Sequence, residues 1–122
     1  MAKKVMLIGW HPSVVDYSKW PGLTPEKLET ALRADEQKLN NLGYDAAIGF
    51  IYSGETAIEQ LEKFLKENSY DVILIGAGVG KDDDHFLTFE KLINLVHEHA
   101  PNARIAFNTG PTDSDDAVQR WA

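Results

Sequence analysis

The 122-residue chain reads as an α/β domain, a three-layer sandwich in which helices cover both faces of a four-stranded parallel sheet. Three observations predict this class. Short strand-like runs alternate with longer amphipathic stretches, the order required when parallel strands are joined by crossover helices. Two of the runs, Val5-Met6-Leu7-Ile8-Gly9 and Val72-Ile73-Leu74-Ile75-Gly76, are apolar throughout, as strands covered on both faces are. Both break at glycine, one into Trp10-His11-Pro12 and the other into Ala77-Gly78-Val79-Gly80, so both deliver backbone to the same end of a parallel sheet.

The first strand is expected over 4–9, and the others over 46–52, 71–76 and 104–108. The second and fourth are weaker and more polar at their ends, which makes them edges. With right-handed crossovers the order is then 2-1-3-4, a flavodoxin-like topology that reverses direction between strands 1 and 3. A helix opens at Thr24-Pro25-Glu26, with an N-cap, a proline at the first helical position and an early acid, and ends before Gly43. Its stripe is Leu28, Leu32, Leu39 and Leu42, and at about 100° per residue Asp35 falls near the centre of that stripe. A carboxylate placed there must find donors or a cation.

The second helix opens at Ser53 or Gly54 and presents Ile58, Leu61 and Leu65, flanked by Ala57 and Phe64. A third runs from about His85 to His99 on Phe86, Phe89, Ile93 and Val96 and stops at Pro101. A last short helix near 113–121 offers Ala117, Val118 and Trp121 for docking. The segment from Trp10 to Leu23 is far longer than the roughly 2–6 residues usual between strand and helix, so it is the candidate lid.

Composition excludes several functions. The formal net charge is −7 and the 12 basic residues are scattered, so a phosphate backbone is repelled and no nucleic-acid partner is expected. The absence of cysteine removes disulfides, thiolate catalysis and Cys-ligated zinc. The apolar run after Met1-Ala2-Lys3-Lys4 ends at Ile8, too short for a membrane span or a signal core, so no membrane partner and a cytoplasmic location are expected. The run Asp82-Asp83-Asp84-His85 fits no calcium loop and reads as an acidic helix start, so no metal site is assigned. No cofactor is indicated.

In an open parallel sheet, ligands sit beyond the carboxyl ends of the strands where the order reverses. Here that crevice is bordered by Gly9, Trp10 and Tyr17 on one side and Gly76, Ala77 and Gly78 on the other, with Asn108 and Thr109 facing the same end. The glycines would let backbone N–H groups approach a small polar or anionic molecule. His11 is the candidate for proton transfer, with Asp16 to orient it, and its imidazole is expected to overhang the Gly76–Gly80 loop. The alternative is that His11-Pro12 shapes the turn while the aromatic residues cover the sheet end. Phosphoacceptor acids, a Ser/Thr-rich phosphate loop and a Walker A lysine are all missing from the positions that would require them, and Ser13 lacks a nucleophile elbow.

The segments Leu92-Ile93-Asn94-Leu95-Val96-His97-Glu98-His99-Ala100-Pro101, Phe107-Asn108-Thr109 and Asp116-Ala117-Val118-Gln119-Arg120-Trp121 carry a resemblance. Across its whole length the chain resembles an uncharacterised family of short bacterial α/β proteins with no assigned activity. The resemblance implies a single-domain fold and no catalytic residue. The functional expectation is therefore a small-molecule-binding domain with its site under the 10–23 segment, catalysis being left open. The rival is a non-catalytic regulatory or homo-oligomeric assembly module in which Trp10, Tyr17, Trp20 and Trp121 make subunit contacts.

Overall fold

A computed structural model describes residues 2–52, 54–81, 83–110 and 113–122. Four strands, β1 (Lys4–Trp10), β2 (Asp45–Ile51), β3 (Val72–Ile75) and β4 (Arg104–Phe107), form one parallel sheet of order β2-β1-β3-β4. The helices are α1 (Pro25–Asn41), α2 (Gly54–Glu67), the single turn α3 (Ala77–Gly80), α4 (Phe86–His99) and α5 (Ser114–Trp121). This is the flavodoxin-like arrangement expected from the alternation and from the two wholly apolar strands. Register runs Val5↔Ala46 to Trp10↔Ile51 on one side of β1 and Val5↔Val72 to Ile8↔Ile75 on the other.

Strand alternation divides the core into two halves. Met6, Ile8, Trp10, Ile51, Ile73 and Ile75 face Leu61 and Leu65 of α2 and Leu92 and Val96 of α4. Val5, Leu7, Ala46, Val72, Leu74 and Ala106 face Leu39 of α1 and Ala117 and Val118 of α5. Gly49 lies in β2 because a Cβ there would come within 2.9 Å of Met6 Sδ and 3.3 Å of Phe64. The outer edge of β2 is covered by α1: Asn40 accepts from the Ala46 N–H (2.9 Å) and donates to its carbonyl (3.0 Å), while Glu36 accepts from the Ile48 N–H (3.0 Å). A sheet edge satisfied in this way has fewer groups left to pair with another chain.

Local signals act where expected in α1. Thr24 Oγ1 accepts from the Lys27 N–H at 3.2 Å, Pro25 opens the helix, and Gly43 takes φ +99°, a conformation open to glycine and strained for other residues. Three expectations need correction. The buried line of α4 is Leu92 and Val96, with Phe89 and Ile93 partly buried beside it, while Phe86 stays 59% exposed. The apolar lines through 86 and through 92 lie on different sides of a 3.6-residue helix, and the sheet takes the second. Trp121 likewise stays 52% exposed, leaving Ala117 and Val118 to dock α5. Asp84 pairs with Lys19 instead of capping α4, whose N-cap is His85. Ser53 and Asp82 lie outside the described residues. Among the described residues no helix is long and apolar enough to cross a membrane.

Candidate functional site

Beyond the carboxyl ends of β1 and β3 lies a cavity of about 380 Å³, within the size range of small-molecule sites. Its floor comes from Leu7, Gly9, Ile48 and Leu74, and one wall is a single face of α1: Leu28, Ala31, Leu32 and Asp35. These wall positions are spaced i, i+3, i+4, i+7, the stripe that a surface helix normally buries on its sheet. Here only Leu39, one turn further on, is fully buried; Leu28 and Leu32 are half-buried because they border open space. Gly9 explains much of that space. It falls on the α1 face of β1, where Val5 and Leu7 have side chains, and a Cβ built on it meets nothing within 4 Å.

The 10–23 segment roofs the cavity and is ordered by its own hydrogen bonds. Pro12–Val14 and Tyr17–Lys19 form 3₁₀ turns, and Val14, Val15, Asp16, Trp20 and Leu23 line the void. Asp16 Oδ1 caps the second turn, accepting from the Ser18 N–H (3.1 Å) and Oγ (2.6 Å). The Tyr17 hydroxyl donates to the Pro12 carbonyl at 2.6 Å; burial, then Glu26, pushes its pKa up. The Lys19–Asp84 ion pair ties this roof to the segment following β3. Beneath it the Trp10 indole donates to the Gly78 carbonyl at 3.1 Å, with its ring 4.9 Å from that of His85.

His11 departs from expectation. Its ring stacks on Tyr52 (centroids 4.6 Å, 14° between planes) and meets the edge of Phe50 at 5.1 Å, over β2. Nδ1 lies 2.8 Å from Ser13 Oγ and accepts from the Ser13 N–H, so Ser13 holds the imidazole in the place foreseen for Asp16. The physical reason lies in the turn itself. The His11 N–H continues the β2 pairing to the Ile51 carbonyl (2.8 Å), and the residue then caps the 3₁₀ turn, which aims its side chain away from the Gly76–Gly80 loop. His11 is not among the cavity-lining residues.

The glycine loop after β3 also behaves differently from an anion cradle. The Gly76 N–H extends the sheet by donating to the Ile8 carbonyl (2.9 Å), and the Ala77 N–H donates to Asn108 Oδ1 (2.7 Å). Thr109 borders the cavity with its donors already engaged: its N–H and hydroxyl, with the Gly110 N–H, donate to the Asp113 carboxylate. Burial works against ionisation of Asp113, but these bonds outweigh it and lower its pKa.

The polar end of the cavity is a group that the sequence did not bring together. The Ala77 N–H can only donate, so it fixes the Asn108 amide with Oδ1 as acceptor and Nδ2 as donor. Nδ2 donates to Ser114 Oγ at 2.8 Å, and the Ser114 hydroxyl therefore points its hydrogen at Asp35 Oδ2. All three bonds of this network run toward Asp35. Asp35 is 6% exposed and lines the cavity, and Oδ1 accepts no hydrogen bond among the described residues. Burial raises its pKa, the Ser114 bond opposes that rise, and Asp115 reinforces it. Helical spacing placed Asp35 on the inner face; nothing in the sequence linked it to Ser114, 79 residues away.

Of the residues expected to bind a ligand, Gly9, Trp10, Asp16, Gly76, Ala77, Gly78, Asn108 and Thr109 border this one cavity, and His11 and Tyr17 do not. No protein-family model matches the chain, and no curated protein is significantly similar to it. The fold itself is that of a small α/β protein with a four-stranded parallel sheet of order 2-1-3-4.

Proposed function

We propose that the chain binds a small molecule with an apolar body in the cavity between α1, the 10–23 segment and the carboxyl ends of β1 and β3. The observation that carries this reading is the unfilled face of α1. Leu28, Ala31 and Leu32 border a cavity of about 380 Å³ on the face that α1 turns to the sheet. An apolar body in that space takes this face out of water, which stabilises the bound state. An anionic ligand is disfavoured, because the Gly76 and Ala77 N–H groups are already bonded, Asp16 and Asp35 both line the cavity, and Lys81, a lining cation, donates to the Thr109 carbonyl at 3.2 Å.

The assembly reading has less to work with. Trp10 is 8% exposed with its indole bonded inside the protein, so it serves the core and is withdrawn from subunit contacts. Trp10 and Trp20 both line the cavity and give an optical readout of its occupancy. Titration with 2-phenylethanol should produce a saturable change in tryptophan fluorescence. Gly9→Val, which puts carbon atoms into the open space, should weaken that binding by about tenfold or more, as expected for loss of a pocket's apolar volume. Absence of a saturable signal in the natural chain, or equal affinity in the plugged variant, refutes the reading.

A further inference from the structure

We infer that the occupant of the cavity carries one cationic amine, which docks on Asp35 Oδ1 while its apolar body lies along Leu28, Ala31 and Leu32. This deepens the binding reading and rests on it. The first support is direction. The Ala77, Asn108 and Ser114 bonds run as one file of donors ending at Asp35 Oδ2, so the file presents a carboxyl oxygen as its terminus, with Asp35 Oδ1 beside it taking no hydrogen bond among the described residues. A ligand that completes it must donate when Asp35 is ionised, and an ammonium group donates and supplies opposite charge at once.

The second support is charge. Asp35 is a buried residue, and acids act on it from α5 and its N-cap, Asp115 and Asp113, both raising its pKa. Among the described residues the cation that acts on it is Lys38 of the next turn of α1, which is engaged 3.1 Å from Asp115 Oδ2. An unpaired buried charge is expensive, and a cation entering the void removes that cost. The excess of acids across the whole chain, net −7, attracts cations to the mouth and repels carboxylates and phosphates.

Three probes of nearly equal size separate the alternatives: 2-phenylethylamine, 2-phenylethanol and 3-phenylpropanoate, each titrated by calorimetry and tryptophan fluorescence. The amine should bind tightest, by about tenfold over the alcohol, the scale of one charge-assisted hydrogen bond, and the acid weakest. Asp35→Asn keeps the side-chain shape and an oxygen for the Ser114 hydroxyl; it should erase the preference for the amine while leaving the alcohol within about threefold. In the natural chain, amine affinity should fall as pH is lowered toward the elevated Asp35 pKa, and alcohol affinity should stay flat; Lys38, Asp113 and Asp115 beside Asp35, and Asp16, Lys81 and His85 elsewhere on the cavity wall, are present in both proteins, so the difference between them reports Asp35. Saturable alcohol binding without any amine preference, or a preference that survives in Asp35→Asn, overturns the cation assignment and leaves the cavity reading standing. If none of the three binds, both fall.

Discussion

At the scale of single residues, Ser114 joins the two ends of the polar network, because its hydroxyl accepts from Asn108 and donates to Asp35. Ser114→Ala leaves Asn108 Nδ2 and Asp35 Oδ2 without partners in a buried position, a loss of about 1–3 kcal/mol. The same change removes the one hydrogen bond that lowers the Asp35 pKa, so that pKa should climb further. Urea denaturation measures the first effect and carboxyl-carbon NMR the second; a variant as stable as the parent with an unchanged Asp35 titration would show that the network is not formed. Asp35 was legible in the sequence because helical spacing alone assigns it to an apolar face. His11 was misread because proximity to a strand end says nothing of side-chain direction, which here follows from the Ile51 pairing and the capping of the next turn. Ser114 gave no signal. A serine at the start of a short helix has an ordinary local explanation, and only the return of α5 to the α1 face makes it a partner of Asp35.

At the scale of elements, the two glycine-ended strands looked equivalent in sequence and differ in what their glycines do. A Cβ on Gly76 would lie 3.1 Å from the Ile8 carbonyl, the backbone group that accepts the Gly76 N–H, so Gly76→Ala must push β1 and β3 apart at their ends. A loss of about 1–3 kcal/mol is expected for such overpacking against backbone. Gly9 faces open space, so Gly9→Val should keep or raise stability, a valine in a strand being favourable where nothing obstructs it. Thermal unfolding of the pair checks the contrast, and equal losses in both would show that the space over Gly9 closes in solution. The 10–23 segment was singled out as a candidate lid by its length, whereas its 3₁₀ turns and its tie to Asp84 left no mark in the sequence. Lys19→Ala removes that tie; because the groups are solvent-exposed, global stability should change by less than about 1 kcal/mol. Hydrogen exchange of the Lys19, Trp20 and Leu23 amides, which bond within the segment, should nevertheless quicken. Unchanged exchange there would mean that the roof is held by its internal turns and not by the ion pair.

For the molecule as a whole, alternation of strand and helix, the two wholly apolar strands and the polar edges were enough to specify sheet order, because each depends on burial that the linear pattern records directly. The cavity was not so recorded, since an apolar helix face reads the same whether it meets a sheet or a void. That void leaves a global signature in the pH dependence of stability. Asp35 has its folded pKa raised, first by burial, so between its ordinary carboxylate value and that higher value the folded protein binds more protons than the unfolded chain. Stability contributed by this group is therefore lost as pH rises through that window and stays lost above it. Asp113 acts with the opposite sign: its pKa is lowered by the Thr109 and Gly110 bonds, which outweigh its burial, so its contribution is present above the ordinary value and disappears as pH falls through the lowered one. Urea midpoints of the natural chain and Asp35→Asn, measured from pH 4 to pH 8, should separate these two terms. The variant should gain on its parent steadily as pH rises through the Asp35 window and hold a constant difference beyond it, because only the parent must ionise a carboxyl in a buried position. Two curves that run parallel across the whole range would mean that Asp35 titrates alike in the folded and unfolded protein. Its carboxylate would then be hydrated in solution, with water reaching Oδ1 as freely as in the unfolded chain, and a cation docked there would gain little from leaving water.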